Sequence, residues 1–302
     1  MEGLFVVSQD LEQLLGDWCN RHGFRLIRGE LDKYRRQISA VLKDVFPELE
    51  LIDEGSLRSG LADLAANYHL PIISLDGVYL NSRWRLGLTR QVSYDGENLG
   101  LGPRFGWKSQ PEQMRQLATS LLGSGHDEVV IADDVIFAGD LMSTIIQELA
   151  EQGIAVRAAL AGVSIGQGAD RLRNLGVTVQ AVRDYDQVID EVCERDFLPG
   201  APFSGRTIAP HGAVDAGLPY LQPFGHPIEW ASVPAESAGE FSASCLEAAI
   251  ELYRAIGQRS EREVRMRDLD RWPGQPTVER GDEPVDDFLR KCLESNIMPL
   301  EA

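Results

Sequence analysis

Two adjacent carboxylates, Asp133 and Asp134, directly follow the apolar run Val129-Val130-Ile131-Ala132, and a small-residue turn ending at Gly139 comes next. The run reads as a buried strand that delivers two acids to its carboxyl end. In an open α/β sheet, ligands bind at the carboxyl ends of the strands. The helix expected after Gly139 points its first amides, with their partial positive charge, into the same crevice. Acids that accept from hydroxyls, next to free amides that hold an anion, suit a sugar phosphate.

The elements that must position these residues follow from periodicity. Leu141, Ile145 and Leu149 line one face of a helix closed by Gly153. Ile154 to Val163 reads as a second buried strand, apolar enough for a sheet covered on both faces. A helix through Ala169, Leu172 and Leu175 and a third strand from Val177 to Val182 complete the rhythm. Strand, helix, strand, helix, strand implies right-handed crossovers and a parallel sheet.

Upstream, helices are expected over residues 8 to 22, over Glu30 to Asp44, and around Leu57 to Ala65, followed by a strand from Leu70 to Asp76. From Val78 to Lys108 the apolar residues recur mostly at even spacing, and Asp95-Gly96 is a pair that closes a two-residue hairpin. Arg83, Arg85, Arg90, Arg104 and Lys108 make this the basic part of the chain. Pro111 to Leu122 reads as a helix leading into the strand at Val129. Residues 205 to 234 read as a long ordered loop rich in Gly, Pro and aromatics, with Arg206, His211, Asp215 and Trp230 as candidates for substrate contact. A helix from Ala235 to Ile256 precedes a charged tail that ends in a helix through Phe288, Leu289 and Leu293 and reads as a solvated cap.

The run Val129 to Leu141 resembles the 5-phosphoribosyl-1-pyrophosphate (PRPP) motif of type I phosphoribosyltransferases: a hydrophobic strand, two acids, two apolar residues and a short glycine-containing loop. Gly168 to Val177 and Asp184 to Ile189 look like the corresponding stretch of orotate phosphoribosyltransferases, where a short acidic helix follows the third strand. The resemblance covers roughly Pro71 to Val192. It implies an α/β parallel-sheet, Rossmann-like core at 71–200, a helical N-terminal region at 1–70, and a loop-rich and helical C-terminal extension at 201–302 packed on the core. It further implies that Asp133 and Asp134 bind the ribose hydroxyls, and that Phe137, Ala138, Gly139, Asp140 and Leu141 wrap the 5′-phosphate. Arg83, Arg85, Arg90, Arg104 and Lys108 become pyrophosphate-side candidates; the alternative is that these bases solvate an exposed hairpin. By the same resemblance, Mg²⁺ arrives with PRPP, not through direct protein ligands. The activity implied is transfer of phosphoribosyl to a nitrogen nucleophile with release of pyrophosphate, which belongs to nucleotide metabolism; the catalytic residue and the accepting base are not legible. Family members commonly dimerise, so a homodimer is one open state.

The phosphate loop departs from the family pattern. Threonine or serine hydroxyls are usual there, whereas here no hydroxyl occurs before Ser143 and Thr144. Asp140 would repel a dianionic phosphate. As a good N-cap it would also fold onto the first amides of the helix and occupy the anion site. A second reading therefore stands beside the first, in which the fold is kept in a regulatory or binding protein with weakened or lost PRPP catalysis. A transferase or lyase that uses another phosphorylated ribose is a third.

Composition bounds these readings. The 302 residues can bury a sizeable core, and 43% hydrophobic with 25% charged residues is ordinary for a folded soluble protein. A net charge of −18, from 47 acids against 29 bases, argues against nucleic acid or an anionic membrane as the main partner. A small phosphoribosyl substrate remains compatible, because local groups set the field in a site. Cys19, Cys193, Cys245 and Cys292 have neither C-x-x-C nor metal-ligand spacing, and the histidines form no H-x-x-x-H pair. With no signal-peptide pattern and no apolar run near the ~20 residues of a membrane span, a cytoplasmic location is expected.

Overall fold

The computed structural model describes residues 3–297. In chain order the elements are β1 (Phe5–Ser8), α1 (Leu11–His22), α2 (Arg28–Val45), β2 (Leu49–Ile52), α3 (Glu54–Ala66), β3 (Ile72–Ser74), β4 (Trp84–Arg85), β5 (Leu88–Val92) and β6 (Asn98–Pro103). Then come α4 (Gln110–Gly123), β7 (Glu128–Ile136), α5 (Asp140–Glu151), β8 (Ala155–Ile165), α6 (Gly166–Asn174), β9 (Thr178–Tyr185) and β10 (Asp190–Cys193). The last third holds β11 (Arg206–Ile208), β12 (Ala216–Leu218), α7 (Pro227–Trp230), α8 (Ala238–Arg259), β13 (Trp272–Pro273) and α9 (Val285–Ile297). The class is α/β with parallel sheets, as the alternation of periods implies.

Contacts divide the chain into two interleaved units. Unit 1 comprises Met1–Leu51, Arg90–Gly100 and Ile189–Ala302, and unit 2 comprises Ile52–Thr89 and Leu101–Val188. The expected split at 1–70, 71–200 and 201–302 gives way to this one. The reason is packing: Leu57 and Leu61 of α3 are buried, and a Cβ on Gly60 would collide with Val182 of β9. Helix α3 therefore covers the parallel sheet instead of closing an N-terminal region.

Unit 2 is built on a five-stranded sheet of order β4-β3-β7-β8-β9, parallel throughout. Its core holds Ile73, Leu121, Val129, Ile131, Ile145, Leu149 and Leu172. The strand residues come from continuous apolar runs, as a sheet covered on both faces requires. Asp53 caps α3 by accepting from the amides of Gly55 and Ser56 at 3.1 and 2.9 Å.

In unit 1, β10-β1-β2 form one sheet, with β1 and β10 parallel from Phe5↔Asp190 to Ser8↔Cys193. Strand β1 lies just before the region read as a helix from residue 8; Phe5 to Ser8 are all buried, and α1 starts only at Leu11. Asp184 to Ile189 form no helix: β9 runs to Tyr185, Asp190 to Cys193 pair with β1, and a short acidic 3-10 turn comes only after them, at Glu194–Phe197. A second sheet has the order β13-β12-β11-β5-β6. The hairpin expected around Asp95-Gly96 joins β5 and β6, but its connection spans Ser93 to Glu97 and closes through the Ser93 amide on the Glu97 carbonyl at 2.9 Å, so it is longer than a two-residue turn. The region read as a long loop contains β11, β12 and α7, and its Tyr220, Leu221 and Trp230 are buried.

The tail is not a solvated cap. Val285, Phe288 and Leu289 of α9 are buried in the unit 1 core with Leu246, Ile250 and Tyr253 of α8. Its charges occupy the other faces of the same segment, which is why composition alone suggested solvation. Among the described residues, no helix is long and apolar enough to cross a membrane.

Candidate functional site

Strand β7 was expected to end at Ala132, before the acids. It continues to Ile136, because pairing with β8 persists through Asp133↔Ala161, Val135↔Val163 and Ile136↔Ser164. Strand β3 stops earlier, with Ser74 opposite Ala132. The acids therefore sit in the part of β7 that projects past β3 at the carboxyl end of the sheet. Each carboxylate accepts from the next backbone amide: Asp134 N–H donates to Asp133 at 3.0 Å, and Val135 N–H to Asp134 at 2.8 Å.

A third acid lies at the end of β3. Asp76, 6% exposed, accepts from the Val78 amide at 3.2 Å and from Arg104 Nη2 at 3.2 Å. Burial, and then the neighbouring Asp134 and Asp76 carboxylates, hold the Asp133 carboxyl well above its usual range, against a smaller opposing pull from Arg104. The cluster thus gathers more acid than base at one strand end. In the sequence Asp76 reads only as the end of a strand, although it carries the same signal: an acid directly after an apolar run. Gly77 follows it at φ +77°, and the Arg85 guanidinium lies where a Cβ would stand.

The loop after β7 is narrow. Gly139 is left-handed at φ +76°, and a Cβ there would come within 2.9 Å of the Gly168 carbonyl. A Cβ on Gly168 would in turn collide with the Phe137 carbonyl. Phe137 and Ala138 are half-buried, Gly139 is buried, Asp140 is exposed and Leu141 is half-buried. Asp140 does not fold onto the helix amides as expected: Gly139 is the N-cap of α5, no side chain caps that end, and the Asp140 carboxylate pairs with Arg171. Arg171 draws it outward, since α6 begins directly against the loop. Two hydroxyls in unit 2, Ser143 Oγ on the first turn of α5 and Ser164 Oγ opposite Ile136, are buried without a hydrogen-bond partner. Ser164 went unnoticed in the sequence, where a lone serine inside an apolar run carries no signal.

The pyrophosphate-side candidates scatter. Arg104 joins the acids. Arg85 covers Gly77, and Arg83 lies 4.3 Å over the Trp84 ring. Lys108 pairs with Glu112 at 2.8 Å in a solvated helix-start pair. Arg90 belongs to unit 1. Of the later candidates, Asp215 is held by Arg271 at 2.8 Å, and the same arginine donates to Thr207 Oγ1 at 2.9 Å, which makes the group a brace within unit 1. His211 meets Gln91 at 3.4 Å, and Arg206 stacks on Trp230. The cysteines are free, and burial pushes the Cys19 thiol up to about 12. Among the described residues, no group of three His, Cys, Asp or Glu side chains could hold a metal ion.

No protein-family model and no curated protein matches the chain. Among solved structures it is similar to UMP synthase of Leishmania donovani, at 18% identity and a TM-score of 0.27 over 44% of this chain. The match spans 27% of the length of that protein. Orotate phosphoribosyltransferase of Mycobacterium tuberculosis gives 12% identity and a TM-score of 0.26, covering 42% of this chain and 68% of that one. Adenine phosphoribosyltransferase of Thermoanaerobacter pseudethanolicus gives 12% and 0.29, covering 43% and 79%. Likeness at this level leaves the description of the fold to the strand order and register themselves.

Proposed function

We propose that unit 2 binds a phosphorylated ribose, PRPP in the first instance, and transfers its phosphoribosyl group to a nitrogen nucleophile. The observation that carries this reading is the juxtaposition at one strand end: Asp133 and Asp134 on β7, the Asp76–Arg104 pair after β3, and the start of α5, which no side chain caps. Carboxylates suit ribose hydroxyls, uncapped amides suit a phosphate, and the unpaired hydroxyls of Ser143 and Ser164 add donors of the kind the loop itself lacks.

In the transfer, the bond from ribose C1 to the pyrophosphate oxygen breaks with its electron pair leaving on the pyrophosphate, a C1–N bond forms, and the nitrogen's proton passes to the pyrophosphate or to solvent. Binding by the acids would fix C1 toward the nucleophile, while Arg104, paired with Asp76, is a base within the acid cluster for the charge on the leaving group. Mg²⁺ would come bound to the polyphosphate, not through direct protein ligands. When bound, it would neutralise charge on the departing pyrophosphate.

PRPP with Mg²⁺ should raise the thermal midpoint, and Asp134→Asn should abolish that rise. Absence of any rise at saturating PRPP would sink the proposal. A second reading, binding without transfer, is favoured by the packing of Gly168 against the Phe137 carbonyl and by the acid at Asp140. It predicts a midpoint shift without pyrophosphate release, and tighter PRPP binding in Asp140→Thr.

A further inference from the structure

Helix α1 carries a glycine in its interior, at Gly16. Glycine there weakens a helix relative to alanine. The backbone does not demand it, since Gly16 lies outside the left-handed region. Packing does not demand it either, because a Cβ at Gly16 would meet nothing within 4 Å. What the missing side chain leaves is space. Gly16 lines a cleft of about 640 Å³ in unit 1, formed by α1, the segment Phe24 to Ile27 that follows it, and the last turn of α8. That size suits a small organic molecule.

The lining combines apolar surface with positive charge. Cys19 and Phe24 are its buried members, Leu26 is half-buried, and Ile27 is a large apolar side chain left exposed. The charged members are Arg25 and Arg259, both exposed, and no acid lines the cleft. Among the described residues neither guanidinium has a hydrogen-bond or ion-pair partner. Only the Arg25 backbone amide is used, donating to Ser260 Oγ at 2.9 Å.

The arginines nearby in the chain are engaged. Arg21 pairs with Asp270, Arg28 faces Glu12 at 3.9 Å, and Arg262 covers the Phe24 ring at 3.9 Å while donating to the His22 carbonyl at 2.6 Å. Arg259 stands in the last turn of α8, where a cation suits the helix dipole. The carbonyls at that end nevertheless accept from the amides of Ser260, Glu261 and Arg262, so the Arg259 donors are left for another acceptor. Helix α2 adds a further positive element, because its N-cap is Ile27, whose side chain cannot cap it. An exposed guanidinium is well solvated, so charge alone assigns no ligand. Two such groups on one apolar cleft select a molecule that has both an anionic and an apolar part.

We infer that this cleft binds a small amphiphilic anion, its apolar part against Phe24, Leu26 and Ile27 and its anionic head held by Arg25 and Arg259. The inference does not depend on the reading of unit 2. The test is calorimetric titration of the full chain, in chloride buffer, with octanoate, octyl phosphate, octanol and acetate. The tighter of the two octyl anions assigns the head group as a carboxylate or a phosphate ester. It should bind at least about tenfold more tightly than octanol, which lacks the charge, and than acetate, which lacks the apolar part. Arg25→Gln and Arg259→Gln should each weaken its binding about tenfold. Gly16→Leu fills the space and should abolish binding while holding the thermal midpoint at or above that of the wild type, since leucine favours a helix interior. Arg25 and Arg259 are exposed, so their variants keep the test decisive even where Gly16→Leu does not fold. No binding of either octyl anion, octanol or acetate binding as tightly as the better anion, or binding unchanged in both arginine variants would each overturn the inference. The PRPP-induced midpoint shift should persist in Arg25→Gln, which separates failure of this site from failure of the unit 2 reading.

Discussion

At the scale of single residues, Asp133 has two opposed roles. Its carboxyl is raised by burial and by neighbouring acids, so above the ordinary carboxylate range the folded chain holds a proton that the unfolded chain has lost. Stability contributed by that proton is present at low pH and is lost as pH rises through the folded value. Asp133→Asn has no such proton to lose. It should raise the thermal midpoint at neutral pH in the absence of ligand and flatten the decline that sets in above the ordinary carboxylate range, while weakening PRPP binding. Parallel midpoint curves for the two proteins would contradict this. Asp133 and Asp134 were legible in the sequence because two acids after an apolar run are costly to bury without a use. Asp76 and Arg104 were not legible as partners: 28 residues separate them, and only the return of the chain to the end of β3 brings them within 3.2 Å.

At the scale of elements, close backbone contacts decide what the loop after β7 can do. Gly168, in the first turn of α6, lies against the Phe137 carbonyl with no room for a methyl group. Gly168→Ala should cost about 1–3 kcal/mol in a denaturant titration, since the backbone of the loop must move to admit it. Helix α9 gives the opposite lesson. Its acids and bases suggested a solvated cap, yet Leu289 is fully buried in the unit 1 core. Leu289→Ala should lower stability by about 2–5 kcal/mol, whereas a surface cap would lose almost nothing. The period of each helix was readable from its apolar positions; which neighbour those positions meet was not.

At the scale of the whole molecule, the chain passes between its two units at Leu51/Ile52, Thr89/Arg90, Gly100/Leu101 and Val188/Ile189. Neither unit is a continuous piece. A fragment of residues 71–200, the core expected from the sequence, would lack α3 and carry β10 without its partner β1. It should be insoluble or lack cooperative unfolding by circular dichroism and urea titration; a cooperative transition in that fragment would show that α3 is dispensable.

The sequence by itself determined the alternation of strands and helices from residue 110 to 185, the parallel class of the sheet, and the two acids at its carboxyl end, because these depend on local periodicity and on the cost of burying charge. Only the tertiary structure decided how far β7 runs, which way Asp140 turns, and that Asp76 and Arg104 join the acids. Strand length is set by the partner strand, and the direction of a surface acid by the nearest base. Meetings between distant residues depend on how the chain returns, which no local pattern records.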